Sequence, residues 1–307
     1  MKSALFASLC VCSILGMSVF MTPMHAQTHV AEPAVNLGDT SFLDGIAGPG
    51  GVIEQIADRG HDEKIVGANG AVVSGTGSVN SISGLTHVAW LTHKKILGAW
   101  YGAELVGAAA YVNAGEPGRI GGLGDTTVGP LILQWPQHRL FGMPVDQRFA
   151  ADFDVPTGRY ARASSVNLGS NAYIANPYYS ITAHPTTRIE TSWRVHYLWS
   201  SPNNDPPKET GYSSTQAGQA IHFNATAGYS IYKGLWVGPN AYFLSQITDG
   251  KINGVAIPNS PERVAAIGPG LVWNQRKWFF YANQYNEFGA RNRATGQKYV
   301  LRVERVF

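Results

Sequence analysis

The sequence has 307 residues, and 14% of them are charged, against about 25% in typical soluble domains. Its formal net charge is +3, and losing Lys2 with the first 26 residues lowers it to +2, too close to neutral to indicate a nucleic-acid partner. Both cysteines, Cys10 and Cys12, lie near the N-terminus, so the rest of the chain cannot form disulfides.

Residues 1–26 have the pattern of a signal peptide. Lys2 precedes the apolar run ALFASLCVCSILGMSVFM, and Ala26 offers a cleavage site. We therefore expect export through a signal peptide that is cleaved after this residue. No later stretch has 18 consecutive apolar residues, so the sequence predicts no membrane-spanning helix.

Residues 27–50 form an N-terminal segment with two possible fates. Such a segment can be a free periplasmic tail, because chain ends are often disordered. However, Phe42, Leu43 and Ile46 are apolar, Asp44 could pair with arginines, and glycine and proline dominate the last six residues. By fold-level analogy with long-chain fatty-acid transporters of the outer membrane, the segment could instead be a plug inside a barrel.

Most of the remaining chain alternates between polar and apolar residues in segments of about ten. The stretches VDQRFAADFDV, RIETSWRVHYLW and QAIHFNATAGYSI each place polar side chains on one face and apolar side chains on the other. This alternation is the signature of transmembrane β-barrel strands. The pattern predicts about twelve strands, near residues 51–59, 78–93, 97–112, 123–135, 145–155, 172–183, 187–200, 216–231, 235–248, 261–274, 277–288 and 297–307.

The connections between these strands alternate in length. HKK, HPTT, YKG and NQRK are short, whereas PTGRYARASSVNLGS and SSPNNDPPKETGYSS are long and polar. Short turns on one rim and long loops on the other are typical of a barrel with both chain ends in the periplasm. Six of the eight tryptophans lie beside short turns, which predicts an aromatic belt at the lipid headgroups: Trp90, Trp100, Trp135, Trp236, Trp273 and Trp278.

The C-terminal stretch KYVLRVERVF predicts the closing strand. Pairing it with the first strand would leave no sheet edge in the membrane. Residues 51–307 are therefore predicted to be one all-β domain, an antiparallel transmembrane β-barrel of about twelve strands that ends in Phe307. The strand also resembles the signal read by outer-membrane assembly machinery, with Arg305 as a departure; the residues of this signal are Tyr299, Leu301, Val303 and Phe307.

Several short stretches resemble a known family. They are NLGDTSFLDG (36–45), GGLGDTTVGP (121–130), DFDVPTGRY (152–160), NPYYSIT (176–182), TDGKINGV (248–255), AIGPGLVW (266–273) and EFGARNR (287–293). Together they resemble the outer-membrane transporters named for the meta-pathway of phenol degradation. The resemblance implies a barrel in the outer membrane of a Gram-negative bacterium, associated with uptake of small aromatic or other hydrophobic compounds.

The predicted function is an outer-membrane channel or transporter for such solutes. The alternative is a structural or adhesive barrel whose long loops bind partners and which transports nothing. Partners are outer-membrane lipids, the assembly machinery and a small hydrophobic or aromatic solute, with no nucleic acid. The residues predicted to line the lumen are Arg148, Asp152, Asp154, Arg188, Glu190, Arg194, His222, Asn240, Tyr242, Arg302 and Glu304, and Tyr178 and Trp236 are predicted to join Tyr242 in its apolar patches.

Enzymatic interpretations are weaker than the channel interpretation. Gly122 and Gly124 begin a dinucleotide fingerprint, but Thr127 stands at its third glycine position. Asp152 and Asp154 share a strand face and could be an acid–base pair, although lumen arginines could equally neutralise them. His196 and His222 have no ligand spacing that supports a metal. We therefore predict no enzyme, no catalytic or metal site and no cofactor.

Overall fold

Twelve long strands make up most of the computed structural model, which describes residues 30–74, 77–115 and 118–307. The predicted signal peptide lies outside the described residues. Within them no helix is long and apolar enough to cross a membrane. The strands in chain order are β1 (Gly50–Val66), β2 (Val79–Ile96), β3 (Ala99–Asn113), β4 (Thr126–Leu140), β5 (Met143–Val155), β6 (Tyr178–Thr186), β7 (Ile189–Ser200), β8 (Ala220–Tyr232), β9 (Leu235–Gln246), β10 (Arg263–Gln275), β11 (Trp278–Arg291) and β12 (Arg293–Val306).

These strands close into a single antiparallel barrel. Each strand pairs with the next along the chain, and β12 pairs with β1 from Val306 opposite Val52 to Arg293 opposite Val66. Closure satisfies the backbone groups of both terminal strands, which lipid would otherwise leave without partners. The predicted fold, an all-β antiparallel barrel of twelve strands, is confirmed.

Two-residue turns build one rim, which we call the short-turn rim. They are residues 97–98, 141–142, 187–188, 233–234 and 276–277. Leu97 and Gly98 both have positive φ, at 52° and 79°, and Phe141 and Gly142 repeat this pattern at 50° and 81°. Positive φ at both central residues is the twist that matches the flanking strands of a tight hairpin.

Longer connections build the opposite rim, the long-loop rim. They span residues 67–78, 114–125, 156–177, 201–219 and 247–262, whereas Asn292 alone joins β11 to β12. Three two-residue strands in these loops form a small separate sheet: Thr215–Gln216, Lys251–Ile252 and Val255–Ala256. β1 reaches Val66, seven residues beyond its predicted end at 59. Its second, more polar half continues to pair with β12 on the long-loop side of the apolar band.

Side chains alternate between the lumen and the outer surface, as the sequence predicts. In β7, Trp193 and Val195 are exposed on the outside, whereas Arg194 and His196 are buried inside. Along β12, the four residues of the predicted assembly signal are exposed on the outer face, and Arg302 points inward. Trp236 differs from the predicted belt, because it turns inward and packs beside Phe42.

Candidate functional site in the barrel lumen

The N-terminal segment occupies the interior of the barrel. We call residues 30–49 the lumen segment. At the long-loop rim, Glu32 N donates a hydrogen bond to Glu262 Oε1 at 3.0 Å. At the other end the segment continues into Gly50, the first residue of β1, at the short-turn rim. The segment therefore crosses the whole lumen and runs antiparallel to β1. Its first described residues lie near the long-loop rim, not at the short-turn rim.

Phe42 is the apolar anchor of the lumen segment. It is fully buried and packs with Val272 and Tyr281 on the inner wall. Glycines make room for its ring: a Cβ on Gly270 would lie 2.9 Å from Phe42 Cε2, and a Cβ on Gly228 would lie 3.1 Å from Phe42 Cδ1. A Cβ at Gly270 would be closer than real Cβ atoms come to a neighbour, and one at Gly228 would be tighter than most observed contacts, so glycine at these wall positions makes room for the ring.

Asp44 is the electrostatic anchor. The guanidinium of Arg194 donates to both of its carboxylate oxygens, each at 2.7 Å, in a pair that is almost entirely buried. The same guanidinium stacks over the ring of Tyr178 at 4.0 Å. Arg148 Nη2 donates to the backbone oxygen of Asp44 at 2.9 Å. A two-point arginine–carboxylate contact fixes orientation as well as position.

The wall also binds the backbone of the lumen segment. Tyr285 Oη donates to Gly38 O at 2.9 Å, and Gly38 N donates to Asn224 Oδ1 at 2.8 Å. Gly45 N donates to Thr182 Oγ1 at 2.8 Å, and Gln134 Nε2 donates to Gly45 O at 2.9 Å. The wall therefore binds the segment on several sides of the barrel, which satisfies backbone groups that no regular secondary structure pairs.

Lys298 of β12 binds the half of the lumen segment that lies nearer the long-loop rim. Its ammonium group donates to the carboxylate of Asp39 and to the backbone oxygen of Leu37, the latter at 2.8 Å. Asp58 of β1 lies 3.8 Å from the same ammonium nitrogen.

Nearer the long-loop rim, burial and the charge of Glu262 raise the pKa of Glu32 well above its usual range.

An acidic cluster centred on His87 lies on the wall formed by the first strands. Each ring nitrogen of His87 lies 2.7 Å from a carboxylate oxygen, one of Glu54 and one of Glu104. Arg302 donates to Glu54 at 3.3 Å, and Tyr178 Oη donates to Glu104 at 3.0 Å. Because Tyr178 also stacks with Arg194, this cluster is continuous with the anchor of Asp44.

A pair of histidines lies nearer the long-loop rim, where β7 ends and β8 begins. The rings of His196 and His222 stack with centroids 4.2 Å apart, and both face Asn176 Oδ1, at 3.0 and 3.2 Å. Among the described residues, no group of three or more histidine, cysteine, aspartate or glutamate side chains is arranged to hold a metal ion. Both imidazoles are buried, so the pair is part of the packed interior of the barrel.

The structure places most of the predicted lumen residues inside the barrel but brings only some together. Arg148 and Arg194 meet at Asp44, and Tyr242 Oη donates to Glu287 at 2.7 Å. Arg188 is elsewhere: it is exposed in the turn after β6, because that strand ends at Thr186. The inward-facing residues of the predicted set are Arg148, Asp152, Asp154, Glu190, Arg194, His222, Asn240, Tyr242, Arg302 and Glu304.

Sequence reasoning missed several residues that organise the site. Glu104 had a detectable signal, since it is the one charged residue between Lys95 and Glu116 in the sequence and sits within an apolar strand. No such signal marks Glu54, His87 and Lys298 in the sequence. A polar residue at a strand position does not show which side chain across the barrel it will contact.

A closed barrel with an apolar outer face and a polar interior defines an outer-membrane β-barrel. Residues 63–303 match the model of the family described as "Putative MetA-pathway of phenol degradation". The chain belongs to this family, as its motifs predict.

The chain is similar to several solved outer-membrane proteins. The COG4313 outer membrane channel from Pseudomonas putida F1 superposes with a TM-score of 0.74 at 16% identity, covering 89% of this chain and 100% of that chain. The CymD monoaromatic hydrocarbon channel gives 0.41 at 9% identity, covering 84% and 89%. The β domain of the Bordetella autotransporter Brka gives 0.44 at 11% identity, covering 84% and 99%. No curated protein matches this chain in sequence.

Proposed function

We propose that the protein is an outer-membrane channel for the uptake of small aromatic or other hydrophobic compounds. Family membership and the channel-like barrel support this proposal. The inward faces of the strands also carry tyrosines and the stacked His196 and His222 beside charged groups, and these side chains are buried while the lumen segment is in place. Such a mixed surface suits amphipathic aromatic solutes, which need both ring contacts and hydrogen bonds. Catalysis and cofactor binding form no part of this function.

The lumen segment acts as a plug in this proposal. The observation that carries it is the two-point contact between Asp44 and Arg194, supported by the burial of Phe42. Because the segment crosses the full lumen, solute must pass beside it or displace it. The plug therefore limits both conductance and the range of solutes that pass.

We also propose export by a cleaved signal peptide and recognition by the assembly machinery. The outward face of Tyr299, Leu301, Val303 and Phe307 supports the second point. The unusual Arg305 fits this face, because its guanidinium lies 4.8 Å from the ring centre of Phe307 and covers it.

The test compares the wild-type protein with a variant that lacks residues 38–49, both reconstituted in lipid bilayers. We expect the deletion variant to fold, as shown by different gel migration of heated and unheated samples, and to have a higher single-channel conductance than the wild type.

In liposome-swelling assays the wild type should pass benzoate faster than hexanoate. The deletion variant should pass both solutes faster than the wild type does, with a smaller difference between them. Unchanged conductance in the folded deletion contradicts the plug. Absence of flux through both proteins favours the structural or adhesive alternative.

A further inference from the structure

Positive charge is concentrated at the short-turn rim. All five hairpins there contribute, and their segments, residues 93–99, 137–143, 184–189, 232–235 and 275–278, contain no aspartate or glutamate. The long-loop rim is different, because its five loops together contain six acidic and five basic residues. We call the exposed lysines and arginines of the five hairpins the basic rim: Lys94, Lys95, Arg139, Arg188, Lys233, Arg276 and Lys277.

The basic side chains of this rim are not neutralised by ion pairs among the described residues. Each side chain is exposed. No ion pair with a carboxylate is formed by any of them within the part of the chain that the structure describes. Repulsion between like charges around a rim is unfavourable unless an external anion offsets it. The occupant of this surface is therefore expected to be anionic.

Aromatic rings place the rim at the depth of lipid headgroups. Lys95 Nζ lies 5.4 Å from the ring centre of Trp100 in the first hairpin. In the closing strand, the guanidinium of Arg305 lies 5.0 Å from the ring centre of Trp278. Tryptophan rings of membrane proteins sit at the boundary between hydrocarbon and headgroups. Long basic side chains beside them reach outward to the phosphates.

We propose that the basic rim binds the headgroups of anionic phospholipids in the periplasmic leaflet of the outer membrane. Short turns of such barrels face the periplasm, which assigns this rim to the phospholipid leaflet. Anionic headgroups attract lysine and arginine near a membrane surface, and the attraction falls with added salt. The binding holds the barrel at a fixed depth. It requires membrane placement but not transport, so a failed flux experiment leaves it intact.

The test measures lipid selectivity at the barrel surface. The folded protein is reconstituted in phosphatidylcholine vesicles, and the motionally restricted fraction of spin-labelled phosphatidylglycerol is compared with that of spin-labelled phosphatidylcholine. We expect phosphatidylglycerol to associate several-fold more strongly at low salt, and the preference to fall towards one in 1 M NaCl. Equal association of the two lipids at low salt, or a preference that salt does not reduce, overturns the proposal.

Two double variants locate the effect: Lys94→Gln with Lys95→Gln, and Arg276→Gln with Lys277→Gln. Each should reduce the phosphatidylglycerol preference, and neither should alter folding, because all four side chains are exposed. The matched control neutralises four exposed basic residues near the opposite rim and should keep the preference for phosphatidylglycerol. If the control lost as much of this preference as the rim variants, the assignment to the basic rim would be overturned. The control positions are Lys64, Arg119, Lys208 and Lys251.

Discussion

Asp44 and Arg194 form a two-point ion pair inside the barrel, and this contact joins residues 150 positions apart in the chain. It links the lumen segment to β7 near the centre of the channel. Because the pair is buried, each charge depends on the other. The pair is thus the place where a small chemical change should act most strongly on the plug.

We predict that Asp44→Asn loosens the lumen segment without unfolding the barrel. Breaking a buried ion pair by removing one partner costs about 3–5 kcal/mol, because the remaining charge stays buried and unpaired. The expected readouts are a rise in single-channel conductance and faster hydrogen exchange at residues 38–45. Asp205→Asn is the control, since it breaks an exposed ion pair with Arg162. Equal conductance in the two variants would show that Asp44 does not hold the plug.

Phe42→Ala should release the same segment through lost packing. Truncating a fully buried phenylalanine costs about 3–5 kcal/mol. The chain after residue 26 has no cysteine, so Ser41→Cys, at a buried position, provides a clean reporter. We expect thiol labelling of this reporter to accelerate when Phe42→Ala is added. Ile46→Ala, which trims a half-exposed side chain of the same segment, should leave labelling slow.

Trp193→Arg should destabilise the barrel from its lipid face. Arginine on the lipid face near the bilayer midplane costs about 2–4 kcal/mol. The control Trp193→Leu keeps the surface apolar and should cost less than about 1 kcal/mol, as for ordinary surface substitutions. The measurement is the free energy of unfolding in lipid vesicles by urea titration. Similar losses for both variants would mean that this side chain does not face lipid.

His87→Gln should weaken the wall on the side of the first strands. Glutamine cannot place a ring nitrogen against both Glu54 and Glu104, and we expect a loss of about 3–5 kcal/mol, because these two buried carboxylates lose the partner that they share. The temperature at which the folded gel band disappears should fall accordingly. His93→Gln, at an exposed position near the end of β2, should leave that temperature unchanged. A result in which both variants behave like the wild type would remove His87 from the structural core of the lumen.

The strand pattern could be predicted because each face of the wall meets a different medium. Trp193 and Arg194 alternate across β7 for this reason, and period two is visible in the sequence alone. The end of β1 was harder to predict, because its residues up to Val66 extend the wall beyond the apolar band and lose the contrast. Residues 60–65 are intermediate or exposed on both faces, so the alternation fades there while backbone pairing continues the strand to the buried Val66.

The contents of the lumen could be predicted only in outline. Burial of Phe42 and pairing of Asp44 with arginine agree with the interpretation of the segment as a plug, but its direction was not visible in the sequence. Nor was the choice of Arg194 over other arginines, because cross-barrel contacts depend on strand register around the whole barrel. Trp236 shows the same limit: the sequence predicted it both for the outer belt and for an apolar patch of the lumen, and its side chain faces inward.

The lumen segment is tethered to the wall at Gly50, on the short-turn rim, and this fixes the way in which the lumen can be cleared. A chain fixed at the inner mouth cannot leave through the outer mouth, because its tethered residues would still span the barrel. If the proposed plug is displaced as a whole, it therefore leaves through the mouth at the short-turn rim. In the proposed channel, a solute entering at the long-loop rim pushes the segment towards that mouth, whereas a solute moving the other way pushes it back among its contacts. The tether is therefore expected to make passage easier in one direction than in the other.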